Sequence, residues 1–462
     1  MSHSSSASEP NLRQITGPAQ NLPDEFLLGH AIVIAGPYLP TLRDGSILVR
    51  DGVIVATEQT ASLRAQYPKV PFINAAGFVV IPGLFNAHTH VAMGFFRGLG
   101  HGKTDMIESF LFPAEKSLTP ELLEPLAYSY IFDGLRAGVT AFADHYYFSE
   151  GIGRAFERIG VRGWIGETVA DLGGAFPGVT SWERARKLIE ASKFGALIRH
   201  VVAPHAADTV SPSLLKNCAD YARANHLPLH MHLSQTKGEH DRVQGRDGFS
   251  PVQAAHKAGA LGPQTLAVHL TSASALDLEI IKQEGATIGY CPTSTIIYDR
   301  LAPIKTFYDL NIPLAIGTDC AASNDAADTL AELKTAAIIA RHHGISGQSV
   351  SPDALLAMST TIPAHVLGVG DRLGTLEAGK FADMVFLRTS LSSEPMDEPL
   401  ANVIWSMGSR DVAHVMVQGR WRLWHGDLAQ TSEDDLRQAY QDSVREIRRR
   451  AGLGSSSSPL SH

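Results

Sequence analysis

Eight short apolar runs, separated by segments of helical periodicity, fill the middle of this 462-residue chain. In order they are FVVIPGLF (78–85), VTAFAD (139–144), VRGWIGE (161–167), LIRHVVAP (197–204), LPLHMHL (227–233), TLAVHL (265–270), ATIGYCP (286–292) and IPLAIGTD (312–319). Each has the length and composition of a strand. Segments such as SWERARKLIEAS and PSLLKNCADYARANH read as the amphipathic helices between them. Eight strands alternating with helices predict an α/β fold, a (β/α)8 TIM-like barrel. A doubly wound open sheet is the competing layout. It calls for a Gly-rich phosphate loop after the first strand, and none follows 78–85.

Two further strand-rich segments flank the barrel pattern. Residues 26–57 hold FLLGHAIVIA and GSILVRDGVIVAT, with a turn at Asp51-Gly52, and residues 380–425 hold FADMVFLR and VAHVMVQGRWRL. They are expected to pair into one small β-sandwich domain built from both chain ends. The predicted plan is a flexible tail over 1–22, the composite β-sandwich over 23–77 and 378–430, and the barrel over 78–377. A C-terminal helix over 431–452 and a flexible tail over 453–462 complete it. With 44% hydrophobic residues the chain has ample material for a large core.

Charge and cysteine usage narrow the partners. Lys and Arg number 39 against 47 Asp and Glu, a net charge of −8. No basic patch suggests nucleic acid or a membrane surface. Arg448, Arg449 and Arg450 read as favourable charge at the C-terminus of a helix. Three cysteines, Cys218, Cys291 and Cys320, are not a disulfide framework. The N-terminal MSHSSSASEP lacks the basic and apolar regions of a secretory signal, and no apolar run approaches the ~18 residues of a membrane helix. The expected setting is cytoplasmic.

Polar residues at the ends of the predicted strands carry the chemistry. His88 and His90, at i and i+2, leave an extended strand end on one face, so two imidazoles can reach one ion. His-x-His alone is weak in a chain with 20 histidines, and His230 and His232 form a second such pair. Position adds weight, because the C-terminal ends of barrel strands are where this fold builds its sites. Asp319 closes the eighth run. Ser323 and Asn324 lie closer to the following helix and make better caps for it, which leaves Asp319 free for chemistry. His269 is the polar side chain at the end of the sixth run, at the functional end.

These motifs resemble the amidohydrolase superfamily along nearly the whole chain. PGLFNAHTH is similar to its first-strand metal motif, LHMHLSQ to its fifth-strand His motif and LAVHL to its sixth-strand His. AIGTDCAASND, APHAADTVS and FPAEKSLTPE resemble the branch of methylthioadenosine/S-adenosylhomocysteine deaminases and chlorohydrolases. The resemblance implies His88, His90, His232 and Asp319 as ligands of one divalent metal. It implies His269 as a catalytic residue, and His205 and Glu115 as substrate contacts. No Lys ends the fourth run, so a carbamylated-lysine binuclear centre is not expected. Three imidazoles and a carboxylate suit Zn²⁺, and Fe²⁺, Co²⁺ and Mn²⁺ accept the same ligand types. Asp319 would serve as the general base toward a metal-activated water, and His269 would polarise the group that takes up negative charge.

One position departs from the branch, which carries Glu three residues after the fifth-strand His. Gln235 stands there. Deaminating an aromatic amidine requires protonation of a ring nitrogen, and Gln can donate a hydrogen bond but cannot transfer a proton. Amides, ureas and carbamates need no ring protonation. Glu239, four residues on, offers a weak substitute for the acid. Phe95, Phe96, Phe110, Phe112, Tyr146, Tyr147 and Phe148 crowd the loops after the first two strands. Most read as packing, with a few left to line an aryl-sized cavity. His145 is either a substrate contact or a hydrogen-bonded neighbour, and Glu115 either a sugar-diol carboxylate or a helix N-terminal acid.

The leading expectation is a mononuclear metal hydrolase that cleaves an amide, urea or carbamate-like C–N bond in a small, possibly aryl-substituted molecule, similar to phenylurea hydrolases. The alternative is an aminohydrolase of purines, adenine nucleosides or triazine-type heterocycles. A small-molecule substrate is expected, with no nucleic acid or membrane partner. A homo-oligomer is what the resemblance allows.

Overall fold

The computed structural model describes residues 11–12, 22–102, 106–176, 182–297 and 302–453. The tails predicted over 1–22 and 453–462 lie almost wholly outside these residues. The chain groups into two compact units, one of 1–85, 134–141 and 328–431, the other of 86–133, 142–327 and 432–462.

The first unit holds a nine-stranded mixed sheet. Its strands are Glu25–Ile34, Thr41–Arg50, Val53–Gln59, Phe72–Asn74, Phe78–Pro82, Met384–Arg388, Val412–Val417, Arg420–Trp424 and Asp427–Leu428. Strands from the two chain ends meet where Phe78–Pro82 pairs with Met384–Arg388. Hydrogen bonding links all nine in one continuous ladder, whereas the sequence reading expects two stacked sheets. Alternate residues turn to one side of it, so Phe26, Leu28, Ile47, Val49, Phe78, Val80, Met384 and Phe386 share a buried cluster. The Asp51-Gly52 turn forms as expected. Both residues have positive φ, 51° and 75°, the backbone that a tight two-residue hairpin requires.

The predicted first barrel strand divides in two. Phe78–Pro82 belongs to the mixed sheet, and Leu84–Thr89 begins the barrel. Gly83 marks the break. A Cβ there would lie 2.2 Å from Thr140 Oγ1, so only glycine admits the close approach. The helices Thr329–His342, Pro352–Met358 and Thr361–Val366, predicted within 78–377, group with the mixed sheet.

The remaining strands follow the predicted order. After Leu84–Thr89 come Val139–Tyr146, Arg162–Val169, the interrupted Ile198–His200 with Ala203–Pro204, Leu229–Leu233, Thr265–His269, Thr287–Tyr290 and Leu314–Ile316. They hydrogen-bond as two sheets. Parallel bridges Val202↔Leu229, Ala206↔His232 and Thr89↔Asp319 join these sheets into a closed ring of eight. Asn86 and Thr318 strengthen one seam. Asn86 Nδ2 donates to Thr318 Oγ1 at 2.7 Å, and Thr318 N donates to Asn86 Oδ1 at 3.0 Å.

Helix Glu433–Arg450 closes the described chain. Ser432 caps it, three acidic residues fill its first turn, and Arg448, Arg449 and Arg450 fill its last. Arg448 also donates to Phe95 O at 2.9 Å. Among the described residues, no helix is long and apolar enough to cross a membrane.

Candidate metal centre and active site

Four predicted ligands converge at the C-terminal ends of their strands. His88 and His90 end the first strand, His232 lies in the fifth, and Asp319 follows the eighth. His90 Nε2 lies 3.3 Å from His232 Nε2 and 3.4 Å from Asp319 Oδ1, and His88 Nε2 lies 3.6 Å from the same oxygen. Ligands about 2.0–2.1 Å from a tetrahedral ion stand roughly 3.3–3.4 Å from one another, so these spacings fit one small cation.

The opposite ring nitrogens are all engaged. His90 Nδ1 meets His145 O, His232 Nδ1 meets His205 O at 2.9 Å, and His88 Nδ1 meets His230 Nε2 at 2.8 Å. Carbonyl acceptors require Nδ1–H, which leaves the Nε2 lone pair turned to the centre. His88 Nε2 is buried with no hydrogen-bond partner among the described residues, so its lone pair is available to a cation. Burial lowers His90 to about 3 and holds His232 well below the usual histidine range, so both rings are neutral as ligation requires.

The eighth strand reaches the first through glycine. A Cβ on Gly317 would sit 2.8 Å from His88 Cβ. Beyond it Asp319 adopts φ +62°, held by its own N–H donating to His88 O at 3.0 Å. Burial alone would raise the Asp319 carboxyl. The close approach of His88 and the neighbouring fields of His269 and His90 hold it far below the usual carboxylate range instead. Its second oxygen, Oδ2, accepts from Ser294 Oγ at 2.5 Å, and Ser294 Oγ also meets Ser323 Oγ at 2.8 Å.

Ser294 and Ser323 are site residues that sequence reasoning did not find. Ser323, expected as a helix cap, is turned inward. The helix begins later, at Thr329, and Asp328 caps it by accepting from Ala331 N. His269 ends the sixth strand at φ +80°, buried, its Nε2 without a hydrogen-bond partner among the described residues. Burial lowers its ring to about 4.

A cavity opens over these residues. Its walls include His90, His232, Asp319, Glu115, His205 and Gln235. His145, Met93, Leu111, Phe112, Tyr146 and Tyr147 also line it. Of the aromatic residues singled out, Phe112, Tyr146 and Tyr147 reach the cavity, while Phe95 and Phe96 are wholly buried and pack on each other. Met93 and Leu111 carry no signal that separates them from ordinary core.

Glu115 is buried and accepts from Tyr146 Oη at 2.7 Å; burial pushes its carboxyl up to about 8. His205 Nδ1 lies 2.8 Å from Thr209 Oγ1. The two ring nitrogens of His145 are buried without partners among the described residues. Gln235 is pinned by its backbone, its N–H donating to Glu239 Oε2 at 2.7 Å and its C=O accepting from Thr271 Oγ1. The residue lines the cavity. Glu239 does not line the cavity, because its carboxylate is engaged with the N–H groups of Ser234 and Gln235, at 3.0 and 2.7 Å.

A sequence profile described as the Amidohydrolase family matches residues 79–422. The chain belongs to the amidohydrolase family. This amidohydrolase is a hydrolase of carbon–nitrogen bonds other than peptide bonds. It is 31% identical over 433 residues to a 5-methylthioadenosine/S-adenosylhomocysteine deaminase of Syntrophobacter fumaroxidans, covering 92% of this chain and 98% of that one. It is 28% identical over 426 residues to a 5'-deoxyadenosine deaminase of Methanothermobacter thermautotrophicus, covering 90% and 99%. Among solved structures, a zinc-bound adenosine deaminase from Xanthomonas campestris superposes with a TM-score of 0.86 at 27% identity, over 92% of this chain and 99% of the other. An atrazine chlorohydrolase from Arthrobacter aurescens, complexed with zinc, shares the fold with a TM-score of 0.81 at 21% identity, over 91% and 100%.

Proposed function

We propose that this amidohydrolase is a mononuclear, metal-dependent aminohydrolase that releases ammonia from an aminopurine nucleoside or a related amino-heterocycle. Glu115 carries this reading. It places a buried carboxyl in the same cavity as His90, His232 and Asp319, in a chain similar to nucleoside deaminases over about nine-tenths of its length. The relatives thus reverse the order of preference drawn from the sequence, in which amide or urea hydrolysis led.

His88, His90 and His232, through Nε2, and Asp319, through Oδ1, would hold the metal, with Zn²⁺ the proposed ion. Such an ion supplies Lewis acidity and brings the pKa of a coordinated water to about 7. Asp319, steadied by Ser294, takes the proton of the attacking water and later returns it to the departing amine. His269 Nε2 hydrogen-bonds the oxygen that attacks and fixes its approach. Gln235 donates from its side-chain amide to the heterocycle nitrogen beside the reacting carbon. Glu115 accepts hydroxyl hydrogen bonds from the far end of the substrate, while Met93, Leu111 and Phe112 keep water from the base.

One observation favours the second reading, a hydrolase of amide, urea or carbamate-like bonds. Gln235 cannot pass a proton to a ring nitrogen, and Glu239 is engaged elsewhere. Product analysis separates the two. Metal-loaded enzyme is incubated with adenine nucleosides, aryl ureas and aryl amides, and ammonia and arylamine are measured. Ammonia from the nucleosides supports deamination. Arylamine release with no ammonia overturns it in favour of the second reading. We also propose a cytoplasmic setting, in keeping with three cysteines that are buried and joined in no disulfide among the described residues.

A further inference from the structure

The wall of the cavity opposite the strand ends hangs on one long connection. Between Thr89 and Pro120 the chain makes a short 3-10 turn over Val91–Phe96 and a helical stretch over Ile107–Glu115. Met93, Ile107, Leu111, Phe112 and Glu115 of this connection all line the cavity. Connections longer than about 12–15 residues are uncommon in compact domains and usually serve a site. Glu115 is tethered inside the cavity by Tyr146, a contact that a substrate reaching Glu115 would disturb. The stretch therefore needs a second anchor on its outer side.

Arg242 supplies one. It projects from helix Lys237–Asp247, which follows Gln235. Its Nε donates to Asp208 Oδ2 at 2.8 Å, and one terminal nitrogen lies 2.8 Å from both Asp208 Oδ2 and Glu108 Oε1. Asp208 follows His205 on the loop after the fourth strand, and Glu108 precedes Leu111 and Phe112. One guanidinium thus ties together the three segments that bring Glu115, His205 and Gln235 to the cavity. Asp208 is only 6% exposed, so it holds Arg242 in one orientation, while Glu108, 51% exposed, is the replaceable arm. A planar fork with several donors suits this bridging, and a lysine ammonium would not span it in the same way.

We propose that Arg242 is a positioning residue that clamps Ile107–Glu115 over the cavity through Glu108, and so sets how tightly substrate is held rather than the rate of the chemical step. The inference rests on the reading of this cavity as the active site.

Glu108→Gln is the test, because it cuts the loop arm and leaves the Arg242–Asp208 pair intact. Hydrogen exchange of metal-loaded full-length protein is followed by mass spectrometry. Amides in 106–115 are expected to exchange up to about fivefold faster, the most a partly exposed ion pair supplies. The rest of the chain and the melting temperature should be unchanged. With the aminopurine nucleoside as substrate, KM rises by a similar factor and kcat stays within about twofold. Unchanged exchange in 106–115 overturns the clamp, whatever the substrate proves to be. A fall in kcat at constant KM overturns the positioning role. If no nucleoside is turned over by wild type, the exchange result still decides the clamp, and only the proposed deamination fails.

Discussion

Nδ1 of His88 lies 2.8 Å from Nε2 of His230, so the leading histidines of the two His-x-His pairs bond to each other. The trailing histidines, His90 and His232, bring their Nε2 atoms within 3.3 Å. The two motifs interlock, and His230 orients a proposed ligand without being one. His230→Ala should weaken metal binding by about 10–100-fold, the usual effect of losing such a support. Competition with a chromogenic chelator measures it. His232→Ala should abolish stoichiometric binding. Equal affinities for His230→Ala and wild type would show that His88 needs no such orientation.

Asp319→Asn should leave a folded protein with kcat lowered by about 10²–10⁴-fold. Ser294→Ala is the subtler change. The Ser294 hydroxyl donates to Asp319 Oδ2, so its loss frees the carboxylate to turn from the attacking water, and kcat should fall by about tenfold with KM little changed. An unchanged kcat would place Ser294 in packing only.

Gln235→Glu supplies an ionisable oxygen where the wild type has an amide nitrogen. If the proposed deamination is correct, kcat on an adenine nucleoside should rise by about tenfold or more, because the variant can carry a proton to the ring nitrogen. Aryl urea hydrolysis should not improve. A parallel fall on both substrates would mean that Gln235 makes contacts a carboxylate cannot replace.

Glu115 gives a pH dependence of defined sign. Its carboxyl is raised from 4.5 to about 8 by burial, against the hydrogen bond from Tyr146 that lowers it. Between those values the folded state keeps a proton that the unfolded chain has lost, so stability falls as pH rises through that window. Urea midpoints of wild type and Glu115→Gln, measured from about pH 5 to 9, should converge at the acid end, and wild type should lose more toward the alkaline end. Parallel curves would remove Glu115 as the titrating group.

Chelation should abolish activity and lower the melting temperature, because an ion bound only to the folded state stabilises it by mass action. Restored activity with Zn²⁺, Co²⁺ or Fe²⁺ identifies the ions that serve. Full activity in protein shown by elemental analysis to be metal-free would overturn the metal-dependent reading.

Strand order, the alternation with helices and the strand-end positions of His88, His90, His232, His269 and Asp319 were legible in the sequence, because apolar periodicity and polar termination are local properties. The break at Gly83 was not. The run from Phe78 to Phe85 reads as one strand despite its Pro82-Gly83 pair, and only Thr140, far along the chain, makes the glycine necessary. Nor could the chain order show that Ser323 turns to Asp319 rather than to a helix, or that Glu239 is engaged with the amides of Ser234 and Gln235. Those choices depend on which groups meet when the ring closes. The sequence by itself determined which polar residues stand at the strand ends and the barrel that gathers them. The tertiary structure decided which nitrogen of each histidine faces the centre, since that depends on the acceptor behind each ring: His230, His145 O and His205 O.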